Sequence, residues 1–460
     1  MKIKVTNLGA IENGVIDLGK RINLFCGYNG TGKTYLAYVI YGLFRNRIII
    51  SPDDSLIDVL LKNRKVKHQI DFDLLFQYKR EVLKNIKENI ENIFGIGVET
   101  AENIFEGFDI DFEENDEELK QNIIEYNINE TTKIQGVSIL INKTNNSCFI
   151  ELEILDGNLT DEALSRIKFV LKSYLYSTLL IYPVSGVDVF PVERNSIYTF
   201  SKELSIRKQE ALDNLQLLID KEKKISKFDI FFNSKRYPLP IKDGLLVAED
   251  LSELKKNRSN FYNFAESLEN ELLHGKVVIS NDGEIQFKPE KNSRKVLPIQ
   301  MTASIVKTMS SLVVYLKHIA IKNDLIIIDE PEINLHPENQ IALARILARL
   351  ANNGFRLLVS THSDYIIREF NNLVMLSNKE FKEVRQIAEI NGYKDEEYIK
   401  QDDLAVYHFS YKSSRAKKVA ISQVVVDRFG FGIDSIDKVI DKQNEVCENL
   451  YYTIKYKENE

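Results

Sequence analysis

Eight residues near the start of the chain, Gly27-Tyr28-Asn29-Gly30-Thr31-Gly32-Lys33-Thr34, satisfy every fixed position of G-x-x-x-x-G-K-[ST]. That spacing suits one task, the holding of a polyphosphate. Gly27, Gly30 and Gly32 let the backbone turn so that successive N–H groups, those of Tyr28, Asn29 and Thr31 among them, face inward as an anion nest. Lys33 can reach the β- and γ-phosphates of a nucleotide, and the Thr34 hydroxyl can ligate Mg²⁺.

A second group lies far along the chain, in Ile326-Ile-Ile-Asp329-Glu330-Pro331-Glu-Ile-Asn-Leu-His336-Pro337. The unbroken aliphatic run Leu325–Ile328 predicts a buried parallel strand with two carboxylates at its C-terminal end. Ligands of open α/β sheets bind at that end. Asp329 is suited to hold Mg²⁺ through water, and Glu330 to polarise the water that attacks a γ-phosphate. Leu357-Leu-Val-Ser-Thr361 predicts another short strand. His362 ends it, where an imidazole can contact the γ-phosphate or the attacking water, and Ser363 or Asp364 can cap a helix starting at Tyr365. Together these residues read as two ends of one ATP site. Lys33, Glu330 and His362 are the catalytic candidates, and Thr34 and Asp329 are the metal ligands.

The loop sits where such chemistry needs it. Arg21–Cys26 predicts a short apolar strand and Tyr35–Phe44 a helix, whose N-terminus adds partial positive charge beside the phosphates.

The order of these motifs resembles the ATP-binding-cassette heads of the SMC, RecF and OLD class, often grouped as AAA-15 or AAA-21 ATPases. The resemblance covers residues 1–45 and about 277–385 and is weak between them. It implies an α/β fold, an ABC-ATPase-like head of the P-loop NTPase kind with an antiparallel β-subdomain and a helical insertion. Ile3–Leu18 resembles the first β-hairpin of the class, and Pro331–Pro337 its D-loop. Phe190-Pro-Val-Glu-Arg194 resembles its Pro-Ala-Glu-Arg element. Gly275–Pro289 resembles the hairpin ahead of its signature segment, here with an Asn-Asp-Gly turn. The family's signature serine touches the γ-phosphate bound by a second subunit. Ser304, in Met301–Leu312, takes that place, with Thr302 as substitute. The family's glycines are missing there, and the stretch also reads as a helix start capped by Thr302 or Ser304. No glutamine is assigned to a Q-loop.

Composition fits a soluble intracellular chain. With 460 residues, 44% hydrophobic and 28% charged, there is enough for a core plus a subdomain. No run approaches the ~20 apolar residues of a membrane span. The chain enters a predicted strand at once, so no signal peptide is expected. Cys26, Cys148 and Cys447 show no paired spacing, as suits a reducing cytoplasm, and Cys26 reads as a small core residue. A net charge of −7 argues against a surface that coats nucleic acid. It leaves local basic segments as possible nucleic-acid contacts. Lys62–His68 and Tyr411–Lys418 are the best of these, each read first as a solvated face.

Four segments are drawn: residues 1–50, the N-terminal half of the head; 51–275, a mostly helical insertion with a β-hairpin near 137–154 that could extend the first sheet; 276–385, the C-terminal half; and 386–460, a small C-terminal extension. Helical patterns occupy 160–180, 198–224 and 249–273, and the last two could form an antiparallel pair. The acidic run Asp109–Leu119 reads as a loop and helix start. Asp434, Asp437 and Asp441 lie at helical spacing and read as a solvated face. The last ~75 residues fall below the usual domain size and lack the acid cluster of a TOPRIM nuclease. A Ser-His-Asp or Cys-His nucleophile set is not evident.

The motor or sensor role is therefore expected here, with effector chemistry on another polypeptide. The chain resembles the ATPase subunits of antiphage defence systems such as Septu (PtuA) and PARIS (AriA). That resemblance implies ATP and Mg²⁺, ATP-dependent dimerisation and a separate effector such as a nuclease. A DNA-repair ATPase like RecF or SMC is the alternative, and a nucleotide-gated scaffold with little turnover a further one.

Overall fold

The strands that feed the candidate site are mostly apolar because both of their faces are covered. The computed structural model describes residues 1–45, 54–134, 136–199, 237–292, 295–413 and 416–457. β1 (Lys2–Leu8) and β2 (Ile11–Asp17) form an N-terminal hairpin, and β3 (Ile22–Gly27) runs into the phosphate loop. Then come β4 (Lys65–Gln69), β5 (Asp109–Phe112), β6 (Ile128–Ile134), β7 (Val137–Lys143), β8 (Phe149–Asp156) and β9 (Val187–Phe190). β10 (Gly275–Ile279), β11 (Ile285–Pro289) and β12 (Leu297–Pro298) make a small antiparallel sheet. The chain continues through β13 (Leu325–Asp329), β14 (Arg356–Ser360), β15 (Leu404–Tyr411) and β16 (Val419–Val424).

Nine of these strands form one sheet in the order β5-β1-β2-β16-β15-β3-β14-β13-β9. From β15 to β9 every pairing is parallel, so five C-terminal ends share one edge. Side-chain alternation divides each strand between two cores. Leu24 and Cys26, Ile326 and Ile328, and Leu357 and Val359 face one core. Phe25, Leu325, Ile327 and Leu358 face the other, together with Leu36, Val39 and Ile40 of the phosphate-loop helix Lys33–Arg45. The same alternation turns Asp329, two residues beyond Ile327, toward that helix. The fold is thus the α/β class expected.

Several expectations need correction. The hairpin Val137–Ile154 does not extend the first sheet; β7 and β8 belong to a separate four-stranded sheet, β4-β8-β7-β6. Its inward residues Ile139, Ile141, Ile150 and Leu152 are buried. The acidic run opens with a strand, because Ile110 and Phe112 pack inward between outward-facing Asp109 and Asp111 while β5 pairs with β1. The stretch 386–460, read as a small extension, supplies β15 and β16, and β15 lies directly beside β3. The central sheet therefore runs past the boundary drawn at 385. Nor is 249–273 one helix. It breaks into Leu251–Leu254, Tyr262–Leu268 and a wide turn at Glu269–Leu273. The pattern at 198–224 falls almost wholly outside the described residues.

Part of each basic segment is engaged within the protein. Lys65 and Lys67 of β4 pair with Glu151 and Glu153 of β8. Lys412 pairs with Glu12, and Lys418 donates to the Gly9 carbonyl. Among the described residues no helix is long and apolar enough to cross a membrane.

Candidate active site

The phosphate loop is held from below by its own sheet. Gly27 has φ +137°, and a Cβ there would lie 2.2 Å from the Phe409 carbonyl oxygen of β15, so neither the backbone angle nor the space admits a side chain. Gly30 and Gly32 also have positive φ. Tyr28, Asn29 and Gly30 are exposed at the tip, whereas Thr31 is buried and its hydroxyl donates to the Tyr28 carbonyl at 2.7 Å. The Lys33 ammonium folds back over the loop, donating to the carbonyls of Tyr28 at 2.8 Å and Gly27 at 3.2 Å. Burial lowers its pKa, an effect opposed by the charges of Glu330, Asp329 and Glu332.

The strand order places β14 between the loop strand and the Asp-Glu strand, so three chain segments converge. The Thr34 hydroxyl donates to Asp329 Oδ2 at 2.8 Å, across 295 residues of sequence. Asp329 is 1% exposed and its other oxygen accepts from the Ser360 hydroxyl of β14. The next carboxylate is turned outward: Glu330 has φ +44°, its N–H donates to the Ser360 carbonyl at 3.0 Å, and its side chain is 33% exposed. Glu330 Oε1 lies 3.8 Å from His362 Nε2. Partial burial, with Asp329 and Glu332 nearby, raises the Glu330 pKa. His362 moves the other way, down to about 4, through burial and then the Lys33 charge. A neutral imidazole, a partly exposed carboxylate and a buried ammonium therefore meet at one sheet edge. Thr34 and Asp329 are adjacent hard oxygen donors, a set that fits Mg²⁺.

The AAA ATPase domain family matches residues 1–367, most of the chain. The protein belongs to that family. Among curated proteins none matches. Similar solved structures include an SMC head bound to the C-winged helix domain of ScpA, with 12% identity, 93% of this chain and 98% of that chain covered, and a TM-score of 0.34. An SMC head domain from Thermotoga maritima has 10% identity, covers 92% and 98%, and scores 0.32. An Smc head with an extended coiled coil, bound to the C-terminal domain of ScpA derived from Pyrococcus furiosus, has 12% identity, covers 97% and 98%, and scores 0.32.

Two residues of this AAA ATPase lie in stretches the sequence singled out, Phe190–Arg194 and Pro331–Pro337, without a role assigned to them. Arg194, just past β9, is 3% exposed. Its guanidinium donates to the carbonyls of Pro191, Asp329 and Glu330 at 3.0, 2.8 and 3.0 Å. Burial draws its pKa down to about 10 against the pull of Asp329, Glu332 and Glu330. Glu332 accepts from the His362 N–H at 2.6 Å, while burial raises its pKa. It thereby ties β14 to the turn after β13. Its nearness to Glu330 in the string Asp-Glu-Pro-Glu was the available signal.

Ser304 occupies a different place from the rest. It is the exposed first residue of the helix Ser304–His318, whose N-cap is Ala303 with no side-chain cap. The Thr302 hydroxyl instead donates to the Ile299 carbonyl at 2.6 Å. Neither side chain caps this helix, contrary to the alternative reading of the stretch. The helix Asp364–Met375 behaves as expected: Ser363 caps it by accepting from the Ile366 N–H at 3.1 Å.

Proposed function

We propose that this AAA ATPase binds and hydrolyses ATP as the motor or sensor subunit of a prokaryotic antiphage defence complex in the cytoplasm, pairing on ATP and controlling a separate effector such as a nuclease. The observation that carries the ATPase reading is the Thr34–Asp329 hydrogen bond, which joins the phosphate loop to the acidic strand end with Glu330 and His362 beside it. Support for the defence role is the resemblance to the Septu and PARIS ATPase subunits.

In this reading the loop N–H groups and Lys33 hold the β- and γ-phosphates. Lys33 exchanges its bonds to the Gly27 and Tyr28 carbonyls for phosphate oxygens. Thr34 and Asp329 would hold Mg²⁺, which supplies neutralising charge to the phosphates. Glu330 accepts a hydrogen bond from the attacking water, and its raised pKa makes it a better proton acceptor than an ordinary surface carboxylate. His362, uncharged near pH 7, contacts the γ-phosphate or that water.

The test is nucleotide binding and turnover in two variants. Lys33→Ala is expected to abolish detectable ATP binding with the fold intact. Glu330→Gln is expected to retain ATP and lose turnover by about 10²-fold or more. Unchanged affinity in folded Lys33→Ala overturns the site. Equal losses of binding and turnover in Glu330→Gln make that residue structural.

A further inference from the structure

Among the described residues, the packing contacts of the last described helix, Asp434–Lys457, gather at its root. Ile433 is buried, and the Ser435 hydroxyl lies 2.9 Å from His408 Nε2 of β15. From Asp441 to Tyr456 every residue is exposed, a length of about 24 Å at 1.5 Å per residue. A helix of this size standing in water without tertiary support is marginal. Yet it carries a stripe at alternating four- and three-residue steps, Ile436, Ile440, Gln443, Cys447, Leu450 and Ile454, apolar at every position but Gln443. That is heptad spacing. Leu450 and Ile454 are 59% and 58% exposed, and Val439 and Val446 flank the stripe, also exposed.

We propose that this stripe pairs with the same stripe of a second copy, the two helices running antiparallel about an axis near Cys447. In that register Ile440, Cys447 and Ile454 face stripe positions of the other copy, and Leu450 faces Asn444. Seven residues on either side of Cys447 stand Ile440 and Ile454, which meet across the pair. Four residues on either side stand Gln443 and Tyr451, an amide and a hydroxyl able to bond one another. Charge also sets the direction. Asp434, Asp437, Asp441, Glu445 and Glu448 outnumber Lys438 and Lys442 in the first part of the helix, whereas Lys455 carries the one charge between Asn449 and Tyr456. Parallel pairing would lay two acidic halves side by side. Antiparallel pairing sets the acidic half against the weakly basic one and opposes the helix dipoles. The contact is isologous and closes with two copies.

This pairing needs no nucleotide, so it is tested on the nucleotide-free full chain, where ATP-driven association of the heads cannot contribute. Sedimentation should give a dimer, and the double variant Leu450→Glu, Ile454→Glu should halve the mass while leaving ATP affinity unchanged. Direction is read with a short bismaleimide in a Cys148→Ser, Cys447→Ser background. Chains carrying Ile440→Cys and chains carrying Ile454→Cys should cross-link only when mixed. A chain that sediments as a monomer across the micromolar range overturns the proposal, and the stripe is then the seat of a different protein. Cross-linking within Ile440→Cys alone overturns the antiparallel register.

Discussion

The guanidinium of Arg194 spans the peptide between Asp329 and Glu330, donating to the carbonyl of the first at 2.8 Å and of the second at 3.0 Å. That peptide leads into a left-handed backbone at Glu330, φ +44°, which costs a non-glycine residue about 1–3 kcal/mol. The strain turns the Glu330 side chain out of the buried strand toward His362, and the clamp holds it there. Lysine keeps the charge but cannot make the two-pronged contact. Arg194→Lys is therefore expected to lower turnover by about 10²-fold, the scale of a small misplacement of a catalytic group, with ATP affinity nearly unchanged. Steady-state kinetics beside equilibrium binding will show the split; an equal fall in both would make Arg194 a general prop of the fold.

His362 should titrate far below an ordinary histidine. Burial and the Lys33 charge bring its pKa down to about 4 from 6.5, so the unfolded chain binds the extra proton first as pH falls. The stability tied to its neutral form is fully present above about pH 6.5 and is lost as pH drops through 4. Proton NMR of the histidine rings, assigned with His362→Gln, should place its midpoint near 4. Lys33→Ala should raise that midpoint, because one of its two causes is removed. A midpoint near 6.5 would mean that the ring stands in water.

Asn23 is a misfit whose replacement should stabilise the protein. It lies in the middle of β3, 1% exposed, between Leu358 and Ala405 in register, and neither its amide nitrogen nor its oxygen has a hydrogen-bond partner in the protein. An unpaired buried amide costs about 1–3 kcal/mol, and a β-branched side chain suits a covered strand. Asn23→Val is expected to gain about 1 kcal/mol in denaturant unfolding. A loss of stability would show that the amide is satisfied through water.

What could be read from the residues alone follows from how local each signal is. β3, β13 and β14 were legible because each is a short aliphatic run covered on both faces, and the glycine loop and Asp-Glu pair follow such runs directly. β5 was missed because its two inward residues, Ile110 and Phe112, are too few to show a period against the surrounding acids. β15 was missed because its reason to be a strand is a partner, β3, far away in sequence. Arg194 was legible as the end of the Phe190–Arg194 element, but its clamp was not, since two of its partners are backbone carbonyls at the end of a strand far away in sequence.

Ser304 leads to a prediction about two copies of the AAA ATPase. The helix it begins has no side-chain cap, so its first N–H groups are available to an anion, and the serine itself is exposed. In a two-fold pair each such helix would close the other copy's phosphate site. The consequence is complementation. Lys33→Ala removes a chain's own phosphate loop function but leaves its Ser304 intact; Ser304→Arg does the reverse. Each variant alone is expected to be inactive, because every site in either homodimer lacks one half. In a mixed dimer, the loop of the Ser304→Arg chain meets the intact Ser304 of its partner, and one whole site is restored. With free exchange half of the dimers are mixed, so an equal mixture should recover up to about one quarter of wild-type ATP hydrolysis. Subunit exchange is followed separately with differently labelled chains. If exchange is complete and no activity returns, Ser304 serves only its own helix, and each phosphate site is completed within one chain.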